Sequence, residues 1–115
     1  MGFLSVLFIK RGYTNISGSQ LQKILSGNKN ILILDVRSIE EYRNGYIPNA
    51  INIPVDTLSY KLSALNSYKN SKIVVYCASG GRSSEASNIL SNNGFNKVYN
   101  LSGGLYSYKG KLIKS

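Results

Sequence analysis

Ile73-Val74-Val75-Tyr76, followed at once by Cys77-Ala78-Ser79-Gly80-Gly81-Arg82-Ser83, is the stretch on which the reading of this chain turns. Four successive large residues, mostly β-branched, describe a strand buried on both faces, not one that alternates between core and water. Ile31-Leu32-Ile33-Leu34 carries the same pattern earlier in the chain. Between and around these runs lie helix signals. Ser17-Gly18-Ser19-Gln20 is a capping box opening a helix with Leu21, Ile24 and Leu25 on one face, which Gly27 ends. Ser38-Ile39-Glu40-Glu41 is a second capping box, and its short helix should stop near Gly45. Pro48 and Pro54 bracket a brief strand over Ala50-Ile51-Asn52-Ile53. Leu58, Leu62 and Leu65 are placed to share a helical face. A helix opening near Ser83 turns Ala86, Ile89 and Leu90 inward and stops at Asn93-Gly94, and a last strand runs through 97–101 to the Gly103-Gly104 turn.

Strands alternating with short helices, with central strands apolar throughout, predict an α/β domain: a parallel sheet covered by helices on both faces. Ligands of such sheets bind beyond the carboxyl ends of the strands. Asp35 and Arg37 follow one strand and Cys77 follows another, so parallel strands would deliver all three to one edge.

The chain has 115 residues, enough for one core; 43% are hydrophobic and 17% charged, which is globular composition. The net charge of +9 should draw anions. Its basic residues are scattered, with a mild cluster at Lys109, Lys111 and Lys114 and no stacking motif, so they read as a solvated surface and nucleic acid is not an expected partner. One cysteine and no histidine exclude an intramolecular disulfide, Cys-His and Ser-His proteases, and histidine metal sites. No metal or cofactor is expected. Residues 3–9 (FLSVLFI) form an apolar run far short of the roughly 20 residues of a spanning helix. The expected organisation is therefore an apolar extension at 1–12 and one domain at 13–115, cytoplasmic and without membrane contact.

A lone cysteine is often just a small buried hydrophobe. Here it follows a buried strand and precedes a loop with Gly80, Gly81 and Arg82, then a helix. The glycines let backbone N–H groups converge on one point, the helix contributes its positive end, and Arg82 adds a cation. These features favour thiolate over thiol, so Cys77 can act as a nucleophile without a histidine base.

Three ordered segments carry a resemblance: LDVRSIEEYRNGYIPNAINIP (34–54), CASGGRS (77–83) and NLSGGLYSYKG (100–110). Over residues 16–111 the chain resembles the rhodanese-like sulfurtransferase family. The resemblance implies a five-stranded parallel sheet with helices on both sides, and a Cys77 that becomes persulfidated. It departs from the family's usual residues at Tyr46 (histidine), Asn49 (glycine) and Tyr108 (tryptophan). Ala78 stands where many relatives carry a basic residue, leaving the loop one cation fewer.

The expected site is thus Cys77 as the catalytic residue and Ala78, Ser79, Gly80, Gly81, Arg82 and Ser83 as the anion-binding loop. Arg82 is assigned to anion orientation and loop support, and Ser83 to the helix N-cap. Asp35 and Arg37 support the loop from below as a charge pair. Glu41 and Glu85 read as helix-surface or capping residues, with Glu85 in the first helical turn. The expected reaction moves sulfane sulfur from a small anionic donor, thiosulfate or a persulfide, to an external thiol or cyanide, with a partner protein as a further acceptor. Two other readings are weaker. Phosphatases and arsenate reductases use a C-x5-R loop where this chain has C-x4-R, and non-catalytic binding modules of the family usually lose the cysteine.

Overall fold

The computed structural model describes residues 12–27 and 30–115. Residues 1–11, with the apolar run at 3–9, lie outside the described residues. Among the described residues five strands form one sheet: β1 (Thr14–Ile16), β2 (Ile31–Asp35), β3 (Ile51–Asn52), β4 (Lys72–Tyr76) and β5 (Val98–Leu101), in the order β1-β5-β4-β2-β3. Every pairing between these strands is parallel, and an isolated antiparallel bridge joins Tyr46 to Ile113. The helices are α1 (Gly18–Gly27), α2 (Ile39–Arg43), α3 (Val55–Leu58) and α4 (Gly81–Ser91), with 3-10 turns at Leu62–Tyr68 and Gly104–Ser107.

The unbroken apolar runs are explained by two cores, one on each face of the sheet. Leu32, Leu34 and Val36 of the β2 segment, with Ile73, Val75 and Cys77 of the β4 segment, face one core, which α3 and α4 cover with Leu58, Ala86 and Leu90. Ile33, Val74 and Tyr76 point the opposite way, under Leu21 of α1, Ile47 and Leu101. Period-two alternation thus survives, but both faces are dry. Cys77 continues the parity of Ile73 and Val75 and so turns toward α4, which starts its packing against that same core.

Both capping boxes form. Ser17 N donates to Gln20 Oε1 at 2.7 Å and Gln20 N to Ser17 Oγ at 3.1 Å; Ser38 and Glu41 exchange the equivalent pair at 3.0 and 3.2 Å. Three expectations are corrected. Leu58, Leu62 and Leu65 do not lie on one helix: α3 stops at Leu58 and the chain re-enters as a 3-10 turn at Leu62–Tyr68. Their spacing suits a 3-10 turn nearly as well as an α-helix, and Ser63, Asn66 and Ser67 favour α-helix only weakly. The helix after Cys77 begins at Gly81, not near Ser83, because Gly80 takes a left-handed conformation (φ 117°) that turns the chain into the helix two residues sooner. The strand over 50–53 pairs only at Ile51–Asn52.

Register decides the site. Leu34 pairs with Val75 and Asp35 with Tyr76, so β2 and β4 end at the same level. Val36 N then donates to Tyr76 O at 3.0 Å. Arg37 and Cys77 therefore both lie just beyond the same carboxyl edge of the sheet.

Candidate active site

Cys77 is 1% exposed, and its sulfur is ringed by donors. Gly80 N donates to Sγ at 3.1 Å and Ser83 N at 3.3 Å, while Sγ itself donates to Ser83 Oγ at 3.4 Å. The amide of Ser79 adds to their stabilisation of the thiolate. Burial resists ionisation of the thiol, but these hydrogen bonds outweigh it and hold the thiol below its ordinary pKa of 9.0. These groups come from one turn of chain, curled by Gly80 onto the N-terminus of α4, where free amides and the helix dipole both favour negative charge.

Ser83 is therefore not the helix N-cap; Gly80 occupies that position and Ser83 is in the first turn. The early helix start turns both its amide and its hydroxyl to the sulfur. Glu85 lies beyond that turn, on the exposed side of α4.

The loop rests on the Gly103-Gly104 turn. Leu105 N donates to Cys77 O at 2.8 Å and Tyr106 N to Ala78 O at 3.2 Å. Gly104 has φ 60°, and a Cβ there would run into the Ala78 carbonyl and come within 2.6 Å of Ser79 N. Only glycine lets the two segments approach this closely.

Arg82 is the loop's cation, but it does not point into the ring. Its two guanidinium branches grip Glu41 side by side, Nη1 to Oε1 at 2.8 Å and Nη2 to Oε2 at 2.9 Å. Those bonds hold the Glu41 carboxyl down at about 2, against the opposing effect of burial and with help from Ser38. The loop is thus tethered to α2 by a residue that sequence reading assigned to the helix surface or to capping. The Ser38-x-x-Glu41 box was a legible signal for the residue; its second partner, 41 positions away, was not.

Asp35 and Arg37 do pair, with Nη2 to Oδ2 at 2.6 Å, both side chains buried. Burial pushes the Arg37 guanidinium down, and its bonds to Asp35 more than offset this. Among the described residues, neither side chain forms a hydrogen bond or ion pair with the Cys77 loop. Arg37 Nη2 also donates to Gly45 O at 2.6 Å, and Asn52 Nδ2 bonds the carbonyls of Asp35 and Arg37 at 3.0 and 2.9 Å. Its guanidinium lies 5.5 Å from the ring centre of Tyr76, whose hydroxyl accepts from Ile47 N at 3.1 Å. The pair braces the turn at 45–47 and packs against Tyr76, the residue before Cys77.

Comparison with known proteins agrees with this geometry. The profile of the rhodanese-like domain matches residues 17–111. A tRNA uridine(34) hydroxylase of Buchnera aphidicola is 36% identical over 83% of this chain, which spans only 31% of that relative's length. The crystal structure of a rhodanese-like domain protein from Staphylococcus aureus superposes with a TM-score of 0.77 at 36% identity, covering 89% of this chain and 98% of that one. A rhodanese with anions from E. coli gives a TM-score of 0.67 at 33% identity, over 74% and 99% of the two chains. This chain belongs to the rhodanese-like domain family.

Proposed function

We propose that the protein is a sulfurtransferase in which Cys77 carries sulfane sulfur as a persulfide. The observation that supports this is the ring of donors around Sγ, with Gly80 N at 3.1 Å and Ser83 N at 3.3 Å. Such a ring stabilises the attacking thiolate and, one bond further out, the terminal sulfur of a persulfide anion.

The Cys77 thiolate attacks the outer sulfur of a donor, thiosulfate or a persulfide, forming the Sγ–S bond as the donor's own bond to that sulfur breaks. The donor leaves with the electron pair, as sulfite or a thiolate. An acceptor thiolate or cyanide then attacks the outer sulfur, and Cys77 departs as the thiolate that began the cycle. No net oxidation occurs and no general base is needed, consistent with a chain that has no histidine. With no second cysteine in the chain, the acceptor thiol comes from outside, from a small molecule or a partner protein.

Intact mass measurement after exposure to thiosulfate or a small persulfide is the test. The expected result is a gain of one sulfur on wild type and none on Cys77→Ser, which keeps the fold because hydroxyl and thiol are close in shape. Sulfur transfer to cyanide by the serine variant would remove Cys77 from the mechanism.

A second reading follows from the relatives named as tRNA uridine(34) hydroxylases, namely a part in tRNA uridine modification. The +9 charge of the chain favours it. It requires tRNA binding that weakens steeply with salt, and titration at two salt concentrations decides it.

A further inference from the structure

The chain has 14 basic residues and only 5 acidic ones, yet the acids are not scattered. Asp35 ends β2, Glu40 and Glu41 occupy the first turn of α2, Asp56 the first turn of α3, and Glu85 the second turn of α4. All five lie at or after the carboxyl ends of parallel strands, the edge at which Cys77 emerges. The two arginines there are already neutralised, Arg37 by Asp35 and Arg82 by Glu41. Glu40 and Asp56 are exposed and form no ion pair among the described residues. Together with Val36, Ile39, Val55 and Arg82 they line a groove of about 500 Å3 that meets the Cys77 loop at Arg82. Glu41 itself is held in place, because its Oε1 also accepts from Ser38 N and Ser38 Oγ, both at 3.0 Å.

We propose that Glu41 determines donor specificity: by occupying both guanidinium branches of Arg82 it withholds the loop's cation from incoming anions. With Glu40 and Asp56 it sets the mouth of the site against doubly charged donors such as thiosulfate and in favour of persulfides whose charge is offset by an ammonium group. A dianion entering the groove meets two unpaired carboxylates and an arginine that is already spoken for. A zwitterionic persulfide brings its ammonium to those carboxylates while its terminal sulfur enters the amide ring. This inference rests on the reading of Cys77 as a sulfur carrier.

The test measures how fast Cys77 gains one sulfur, by intact mass, from thiosulfate and separately from cysteamine persulfide generated in situ. Wild type, Glu41→Gln and Asp56→Asn are compared. Glutamine at position 41 keeps the capping box with Ser38, so the helix start is preserved. The thiosulfate-to-persulfide ratio of rate constants should rise about tenfold in Glu41→Gln, as Arg82 becomes free to bind an anion. Asp56→Asn should move the ratio the same way by a smaller factor. Both gains should shrink in about 1 M salt, where charges are screened beyond roughly 3 Å. A structural role alone would lower both rates together and leave the ratio unmoved. Loading of Cys77 with an unmoved ratio overturns this inference alone. Failure of both donors to load any of the proteins overturns the carrier reading and this inference with it.

Discussion

The Ser83 hydroxyl lies 3.4 Å from the Cys77 sulfur and 3.2 Å from the carbonyl oxygen of Gly80, and it has one proton to give. While the thiol is protonated, S–H donates to Ser83 Oγ and the hydroxyl donates to Gly80. When the sulfur ionises, the hydroxyl proton is within reach of it and turns from the carbonyl to the anion. Ser83 therefore supports the charged form specifically, on top of the fixed amides of Gly80 and Ser83.

Ser83→Ala should raise the pKa of Cys77 while leaving the two backbone amides in place. A hydrogen bond to a charged group contributes about 1.5–3 kcal/mol, so alkylation and sulfur loading below the thiolate midpoint should slow by about tenfold or more. Well above the midpoint the rates should approach those of wild type. Alkylation rate against pH at this single cysteine measures both. An unmoved midpoint would show that the hydroxyl stays on Gly80.

Gly104→Ala tests the floor of the loop. Its Cβ would collide with the Ala78 carbonyl, a backbone group that cannot swing aside, at a left-handed position (φ 60°) that already disfavours alanine. Relief requires the Cys77 loop or the Gly103-Gly104 turn to shift. A displacement of about 1 Å in the ring should cost roughly a hundredfold in sulfur transfer. The Cys77 midpoint should rise with it, because the same amides hold the thiolate. Full activity with an unchanged midpoint would mean that the turn absorbs the strain by itself.

The parts of this protein that were legible in its sequence are those written locally. Two-sided burial made β2 and β4 apolar throughout, and each capping box is completed within four residues. β1 offered no such signal. Thr14 and Asn15 are exposed and only Ile16 is buried, so three residues carry no periodicity, and the strand exists through its pairing with Tyr99, Asn100 and Leu101 at the far end of the chain. The site divides in the same way. Cys77 and its glycines were visible because the loop is contiguous, whereas the Arg82–Glu41 pair and the Gly104 floor are made by folding alone.

Acid should expose the contribution of that pair to stability. Glu41 sits at about 2 in the folded chain against an ordinary 4.5, so its ionised form is favoured by folding. A lowered folded value contributes stability that is complete above about 4.5 and is lost as pH falls toward about 2. Both side chains are more than a third exposed, at 40% and 37%, so solvent screening holds the contribution to about 1 kcal/mol or less. Urea unfolding across this window should show wild type losing its advantage over Glu41→Gln as pH falls. Parallel curves would show that the pair adds nothing to folding.

Sulfur chemistry should be strongly preferred to phosphate chemistry, for reasons of ring size and of protons. With four residues between Cys77 and Arg82, the amides of Gly80 and Ser83 close to within 3.1 and 3.3 Å of the sulfur. A terminal sulfur presents one atom to that ring, while a phosphate ester under attack must fit three equatorial oxygens. A leaving alcohol would also need an acid. Glu41 cannot supply it, being ionised above about 2, and Asp35 is buried against Arg37. Wild type should therefore load sulfur readily and hydrolyse aryl phosphates negligibly. A glycine inserted between Gly80 and Gly81 should draw the Gly80 amide away from that of Ser83 and slow sulfur loading by roughly a hundredfold. Any phosphatase activity so gained should stay slow, since widening the ring supplies no proton donor. Side-by-side assays of both proteins with thiosulfate, a small persulfide and an aryl phosphate decide the matter. Appreciable phosphate turnover by wild type, with no sulfur on Cys77 from either donor, would reverse the assignment.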